Sequence, residues 1–340
     1  NKVVLDMSGT KTTKLNATIS PSSANRNTGI TWKSSNTGVA TVDQSGNVTA
    51  KSNGTTTITA TTQNGKSASC TINVSTSPNK ITLNKTSETI DLNGTKTVQL
   101  QVSKIEPATA NVNTGITWES GNTGIATVDQ NGLVTAKKIG NVTITAKTQN
   151  GVKATCSVTV AQSPTGITLD RNKVVLDMSG TKTTKLNATI SPSSANINTG
   201  ITWTSGNSGI ASVDQSGNVT AKANGTTTII ATTQNGYTAQ CSVIVITSIT
   251  SLSVSPTSST LNIGETVQLT GTVNPSTTTA STLWTSSNKT VATVNDYGLV
   301  TAKSAGTVTI TFKNSSGTKS ANCTITVENY KKALETESYV

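Results

Sequence analysis

The sequence predicts an all-β chain of four tandem two-sheet sandwiches. Three observations carry that prediction: rare residues recur at a fixed period, whole phrases recur around them, and the apolar residues between them alternate with a period of two. Tryptophan stands at Trp32, Trp118, Trp203 and Trp284, with spacings of 86, 85 and 81. Cysteine stands at Cys70, Cys156, Cys241 and Cys323, with spacings of 86, 85 and 82. Two independent rare residues do not keep one period by chance.

The phrases confirm the period. Gly29–Lys51 reads GITWKSSNTGVATVDQSGNVTAK, and close copies begin at Gly115 and Gly200, with a looser one at Leu283. Asn1–Asn25 is identical, letter for letter, to Asn172–Asn196. The later repeats open on ITLNK at Ile81, ITLDR at Ile167 and LSVSP at Leu252. The first has no such opening, so it is expected to lack its first strand and the natural protein to continue upstream. The repeats are drawn at 1–75, 76–161, 162–247 and 248–328, with a tail at 329–340 that is charged and read as helical.

Within the first repeat the elements follow in order. Leu15, Ala17 and Ile19 share one face of a strand, and Ile30, Trp32 and Ser34 share one face of the next. Ala40 and Val42 lead into a turn at Asp43-Gln44-Ser45-Gly46, and Val48 and Ala50 lead out of it. Thr55–Thr62 and Lys66–Val74 flank Asn64-Gly65, the dipeptide of a two-residue hairpin in which both residues take positive φ. The hairpin recurs at Asn150-Gly151 and Asn235-Gly236, and in looser form over Asn314–Lys319. About seven strands in about 80 residues read as a sandwich. Strands of about seven residues, at about 3.3 Å each, give domains of roughly 35–40 Å, and four end to end span on the order of 150 Å. Two linkers carry Pro78 and Pro164, which limits hinge freedom.

Composition bounds the function. Hydrophobic residues are 32% and charged residues 12%, values that taken alone suggest a polar disordered chain; the periodic placement of Val, Ile and Thr excludes it. No apolar run reaches 18 residues, so no transmembrane helix is expected. The net charge of +11 is weighted toward the N-terminal repeat, but the lysines are scattered and read as solvated charge. Attraction to anionic polymers, glycans or lipid surfaces is the alternative. Without any histidine, no side chain of ordinary pKa switches between about pH 5 and 8.

The candidate residues read as structural. Each repeat holds one cysteine at an inward position, with no second cysteine or histidine to make a disulfide or metal site. Trp32, Cys70, Trp118, Cys156, Trp203, Cys241, Trp284 and Cys323 are therefore expected in the cores, each tryptophan contributing about 3–5 kcal/mol on full burial. Tyr237, Tyr297, Tyr330 and Tyr339 are the aromatics expected outside; nucleic-acid binding requires basic clusters interleaved with aromatics, and the repeats show neither. Asp43, Asp129 and Asp214 sit in tight turns; turn formation is the reading, with a calcium loop as the alternative, since one carboxylate per turn is short of a full ligand set. No catalytic triad is possible, and no paired carboxylates stand out. Lys14 and Lys185 alternate outward, against an internal isopeptide.

The pattern formed by ITL, by ITW-SSN…VATVD..G.VTA and by the closing C.I.V resembles the bacterial immunoglobulin-like group 2 domain, from Asn1 to about Val327. The resemblance implies an elongated array of immunoglobulin-like sandwiches in an extracellular protein, at a bacterial surface, secreted, or on a phage virion. It implies no single ligand; with the lack of a catalytic set, the leading expectation is a non-catalytic spacer or adhesion stalk, a monomeric rod with no cofactor, no nucleic acid and no membrane insertion. The alternatives are a module binding anionic cell-wall polymer, glycan or host matrix protein, and an accessory region of a secreted glycan-active enzyme. Were there a ligand contact, the loop Asn274–Thr282, unique to the fourth repeat, is where it is expected.

Overall fold

The computed structural model describes residues 1–329; the tail from 330 on, with Tyr330, Tyr339 and the helical reading, lies outside the described residues. The described residues form strands and turns throughout, and none of them forms a helix long and apolar enough to cross a membrane. The chain divides into two compact units, Asn1–Ser163 with Ser194–Ile197, and Pro164–Ser193 with Asn198–Val340. Each repeat closes its own core.

The third repeat shows the plan. Ile201–Ser205, Gly225–Thr233 and Thr238–Ile246 run antiparallel, and Lys173–Asp177 joins the edge parallel to Thr238–Ile246. Thr183–Lys185, Asn218–Ala221 and Ala211–Val213 form the facing three-stranded sheet. Gly166–Leu169 and Ala188–Ser191 pair as a short antiparallel ribbon. The second and fourth repeats repeat the plan, with nine strands each against the seven or so expected. The first repeat has seven, beginning at the edge strand Lys2–Asp6. The parallel edge strand explains much of the difference: its partner lies some 70 residues on, at Lys2↔Thr71 for example, where alternation within a window cannot see it.

Why these residues make these elements is clearest at the turn between the strands Ala40–Val42 and Asn47–Ala50 of the first repeat. Asp43 Oδ1 accepts from the amides of Ser45 (2.8 Å) and Asn47 (2.9 Å), which shapes a loop that the backbone alone would not hold. Gly46 takes φ +80°, where a Cβ would stand 2.4 Å from the Leu15 carbonyl oxygen and 3.2 Å from the Trp32 ring. Only glycine fits. The equivalent glycines 132, 217 and 298 meet their own tryptophans in the same way. Gln44 completes the corner by bonding the amide and carbonyl of Trp32 through its carboxamide, as Gln215 does more tightly for Trp203 (3.1 and 3.0 Å).

The hairpin differs from the two-residue turn expected. Thr62 N–H donates to the Lys66 carbonyl and Gly65 N–H to the Thr62 carbonyl, and only Gly65 has positive φ (+81°). This is a three-residue loop with glycine at its left-handed position. The Thr62 hydroxyl selects it, donating to Asn64 Oδ1 and accepting from the Lys66 amide.

The fourth repeat repacks its core. Phe312 stands where the other repeats have Ala60, Ala146 and Ala231, and its ring lies 4.6 Å from that of Trp284. Room comes from Gly271, where the first and third repeats have Ala17 and Ala188; a Cβ there would fall 2.7 Å from the Phe312 ring. Gly271→Ala is therefore expected to destabilise the fourth repeat by about 1–3 kcal/mol. Adding Phe312→Ala recreates the alanine pair of the third repeat and recovers part of that loss. A chemical-denaturation double-mutant cycle that shows strict additivity of the two changes refutes the coupling.

Candidate functional site at the linker joints

Within each unit, polar side chains from both neighbouring repeats converge on the linker between them. In the first unit, the linker residues Thr76 and Ser77 are nearly fully buried, with relative exposures of 3% each. Ser77 donates its amide (3.1 Å) and its hydroxyl to the carboxylate of Asp6, at the end of the edge strand. Ser8 Oγ–H donates back to the Ser77 carbonyl at 2.7 Å. Asn53 is the second anchor: its Oδ1 accepts from Thr76 Oγ–H (2.6 Å) while its Nδ2 reaches the Thr109 carbonyl of the following repeat (2.7 Å). Asn111 of that repeat closes the ring, accepting from the Thr76 amide and donating its own amide to the Thr76 carbonyl, both at 2.9 Å.

The second unit builds the same joint from different neighbours. Ser248 N–H donates to Asp177 Oδ1 at 3.0 Å, and Ser179 Oγ–H donates to the Ser248 carbonyl at 2.8 Å. Asn224 accepts from Thr247 Oγ–H (2.8 Å) and donates to the Thr277 carbonyl (3.0 Å). Thr278 Oγ–H donates to the Thr247 carbonyl at 2.7 Å. The loop Asn274–Thr282, read from sequence as a ligand contact, thus commits its centre to the linker. The hairpin asparagines also have a duty that sequence reading gave only to turn formation: Asn150 Nδ2 donates to the Pro78 carbonyl and Asn235 Nδ2 to the Pro164 carbonyl, both at 2.7 Å.

Partial burial opposes ionisation of Asp6, but the hydroxyl of Ser77 and the amides of Ser8 and Ser77 outweigh it and hold the carboxyl below the usual carboxylate range. Burial against the bonds from Ser248 and Ser179 sets Asp177 the same way. In the second repeat, Asp91 is likewise lowered, burial being outweighed by Ser163 and Asn93. The fourth repeat carries Asn262 at this position, and its amide is taken by Glu265 Oε2 at 2.7 Å.

The residues singled out from sequence are placed as follows. Trp118 and Trp203 are buried, whereas Trp32 and Trp284 are half-buried. Cys156, Cys241 and Cys323 have no exposed surface and their thiols are pushed up, by burial above all; Cys70 retains 9%. All four are free thiols in separate cores. The carboxylates of Asp43 and Asp214 serve their own turns, the side-chain and backbone bonds from Asn47 and Asn218 lowering their pKa values. Among the described residues no three His, Cys, Asp or Glu side chains cluster as a metal site. Lys14 and Lys185 are exposed, as is Tyr297, at 85%.

The profile of the bacterial Ig-like domain (group 2) family matches residues 5–72, 74–158, 164–243 and 248–325. The chain belongs to this family. Among curated relatives of the Ig-like array, an uncharacterised protein of Clostridium acetobutylicum is 36% identical over 154 residues, 44% of this chain and 15% of that protein. Ice-binding protein 1 of Shewanella frigidimarina is 29% identical over 305 residues, 87% of this chain and 34% of that protein. The chain thus spans about a third or less of the length of these relatives. Among solved structures, domains 1–6 of the surface layer protein SbsC align over 86% of this chain and 48% of that one, with 18% identity and a TM-score of 0.25. The human desmocollin-1 ectodomain aligns over 97% and 80%, with 9% identity and a TM-score of 0.35.

Two outcomes follow for the joints of this Ig-like array. Asp177→Ala removes the acceptor of the Ser179 and Ser248 amides, and their hydrogen exchange is expected to quicken by roughly tenfold, about 1.4 kcal/mol of local stability. Unchanged exchange at both amides defeats the assignment. The clamp also has a pH signature. A carboxyl lowered by folding contributes stability that is complete above its unfolded value of about 3.9 and is lost as pH falls through its lower folded value. Protection of the Ser77 and Ser248 amides is therefore expected to hold from neutral pH to about pH 4 and to fail below it, as read by exchange corrected for intrinsic rates.

Proposed function

We propose that the chain is a non-catalytic spacer or adhesion stalk of an extracellular bacterial protein, cell-surface or secreted, whose task is to hold neighbouring repeats in a defined relation. The observation that carries this reading is the recurrence of one hydrogen-bonded linker joint in both units, at Asp6–Ser77 with Asn53 and at Asp177–Ser248 with Asn224. A flexible tether has no use for a linker whose Thr76 and Ser77 are buried and bonded at both ends. Membership of the bacterial Ig-like group and the absence of histidine from the sequence support the non-catalytic part.

A ligand-binding module is the second reading. It is favoured by the outer face of the four-stranded sheet of the first repeat, where Thr57, Thr59 and Thr61 stand opposite Thr71, Ser69 and Ser67 in a hydroxyl array beside Lys33. Such a face suits a hydroxylated or hydrated surface: a glycan, a wall polymer or, given the name of the Shewanella relative, ice. The two readings separate on one comparison. Pulsed electron–electron resonance between labels on unnatural residues at Lys33 and Lys153 is expected to give one narrow distance, broadened by Asp6→Ala. A native distribution as broad as that of the variant sinks the spacer reading. Saturable binding of the full chain to wall polymer, glycan or ice, lost on Thr59→Glu, establishes the second.

A further inference from the structure

The chain has two methionines, and both stand at the linker joints. Met7 lies between Asp6 and Ser8, the two residues that hold Ser77. Met178 lies between Asp177 and Ser179, which hold Ser248 in the same way. The position is built alike in all four repeats. The residue that follows the edge strand donates its amide to a carbonyl at the end of the last strand. Met7 donates to Ser75 and Met178 to Ile246, both at 2.8 Å, Leu92 to Ala161 at 2.9 Å, and Ile263 to Glu328 at 3.3 Å. With the backbone so pinned, Met7, Leu92 and Met178 each pack against the core of their own repeat and stay half-buried. Leu92 shows that packing here asks only for an apolar side chain. What methionine adds is a sulfur that can be oxidised.

A small oxidant can reach these sulfurs. Met7 lines a cavity of about 370 Å³ together with Lys51, Asn53, Thr76 and Thr109. Its side chain therefore faces the same space as the bridge from Asn53 to the Thr109 carbonyl of the following repeat. Met178 keeps the same partial exposure in the second unit. The cysteines are better protected, since Cys156, Cys241 and Cys323 have no exposed surface and Cys70 retains 9%.

We propose that Met7 and Met178 are oxidation sites whose modification loosens the joints. A lone pair of the thioether sulfur attacks one oxygen of hydrogen peroxide; the S–O bond forms as the O–O bond breaks, sulfur gives up two electrons, and water leaves. The sulfoxide is polar and hydrogen-bonding, so it gives up the apolar contact with the core and turns toward water. Its chain neighbours on both sides are the clamp itself. Asp6 and Ser8 shift with Met7, and Ser77 loses its partners; Asp177 and Ser179 do the same to Ser248. Methionine sulfoxide reductases, one for each epimer, restore the thioether and with it the joint. The chemistry belongs to the joints alone and is the same whether the chain serves as spacer or as binding module.

The test treats the folded full chain with hydrogen peroxide until mass spectrometry finds both methionines as sulfoxides, then reads hydrogen exchange at neutral pH. Exchange of the Ser77 and Ser248 amides is expected to quicken roughly fivefold. Met7→Leu, which has its precedent in Leu92, abolishes the response at Ser77 and leaves that at Ser248; Met178→Leu does the converse. All four cysteines remain in both variants, so each single change separates the thioether from thiol oxidation. Reduction by the two sulfoxide reductases returns both amides to their native rates and needs no variant. Full oxidation with unchanged exchange at both serines overturns the proposal. So does a response at Ser77 that survives Met7→Leu, or methionines that stay reduced under peroxide that fully oxidises a peptide of residues 2–12.

Discussion

Every repeat depends on the fit between one tryptophan and one glycine. The indole and a leucine carbonyl oxygen both close on the turn between the two short strands, so a Cβ at Gly46, Gly132, Gly217 or Gly298 would strike the carbonyl and crowd the ring, and each of these glycines takes positive φ. A sandwich of some 80 residues has a thin core, and a single large ring wedged under a corner supplies both apolar area and the spacing of the sheets. The acid at the head of the turn is drawn into the same task. Asp43, Asp129 and Asp214 each bond two amides of their own loop, and Asn295 does so in the fourth repeat without charge. The substitution of Asn for Asp preserves the acceptor, which is what the loop requires.

Much of this was legible in the sequence because it is local. The inward alternation and the glycine turns follow from residues within a few positions of one another, the period follows from copies some 80 residues apart, and the strands fall accordingly, except that Leu15, Ala17 and Ile19, expected on one strand face, lie in no strand. What sequence reading missed depends on residues far apart along the chain. Asp6 reads as an isolated surface acid until Ser77, 71 residues on, is brought beside it. Asn53 and Asn224 carry no local signal, yet each ties a linker threonine to a carbonyl of the following repeat. The one signal available was the joint recurrence of an acid at the end of the edge strand and a serine in the linker: Asp6 with Ser77, Asp91 with Ser163, Asp177 with Ser248. Trp32 and Trp284 remain half-buried, Trp32 lining a cavity and Trp284 with its ring 4.6 Å from that of Phe312.

The paired bonds at the linkers within the two units also explain why composition misleads here. A chain with 32% hydrophobic residues seems too polar to order its connections, but serine, threonine and asparagine do that ordering. Short side chains with little rotamer entropy to lose can reach the main chain on both sides of a linker, where a long charged side chain would cost more to immobilise. Polar content that suggests disorder in a scan by composition is, at Thr76, Ser77 and Thr247, the material of buried hydrogen bonds.

The downstream ends of those bonds fall on main-chain carbonyls, of Thr109 from Asn53 and of Thr277 from Asn224. A carbonyl is the same whatever residue bears it. A repeat can therefore be copied next to a neighbour it has never met and still find its latch, provided the loop backbone keeps its path. The letter-for-letter identity of Asn1–Asn25 and Asn172–Asn196 is what such a grammar permits: units can be gained, lost or reordered by recombination, and the gene can lengthen its product without having to evolve a new seam each time.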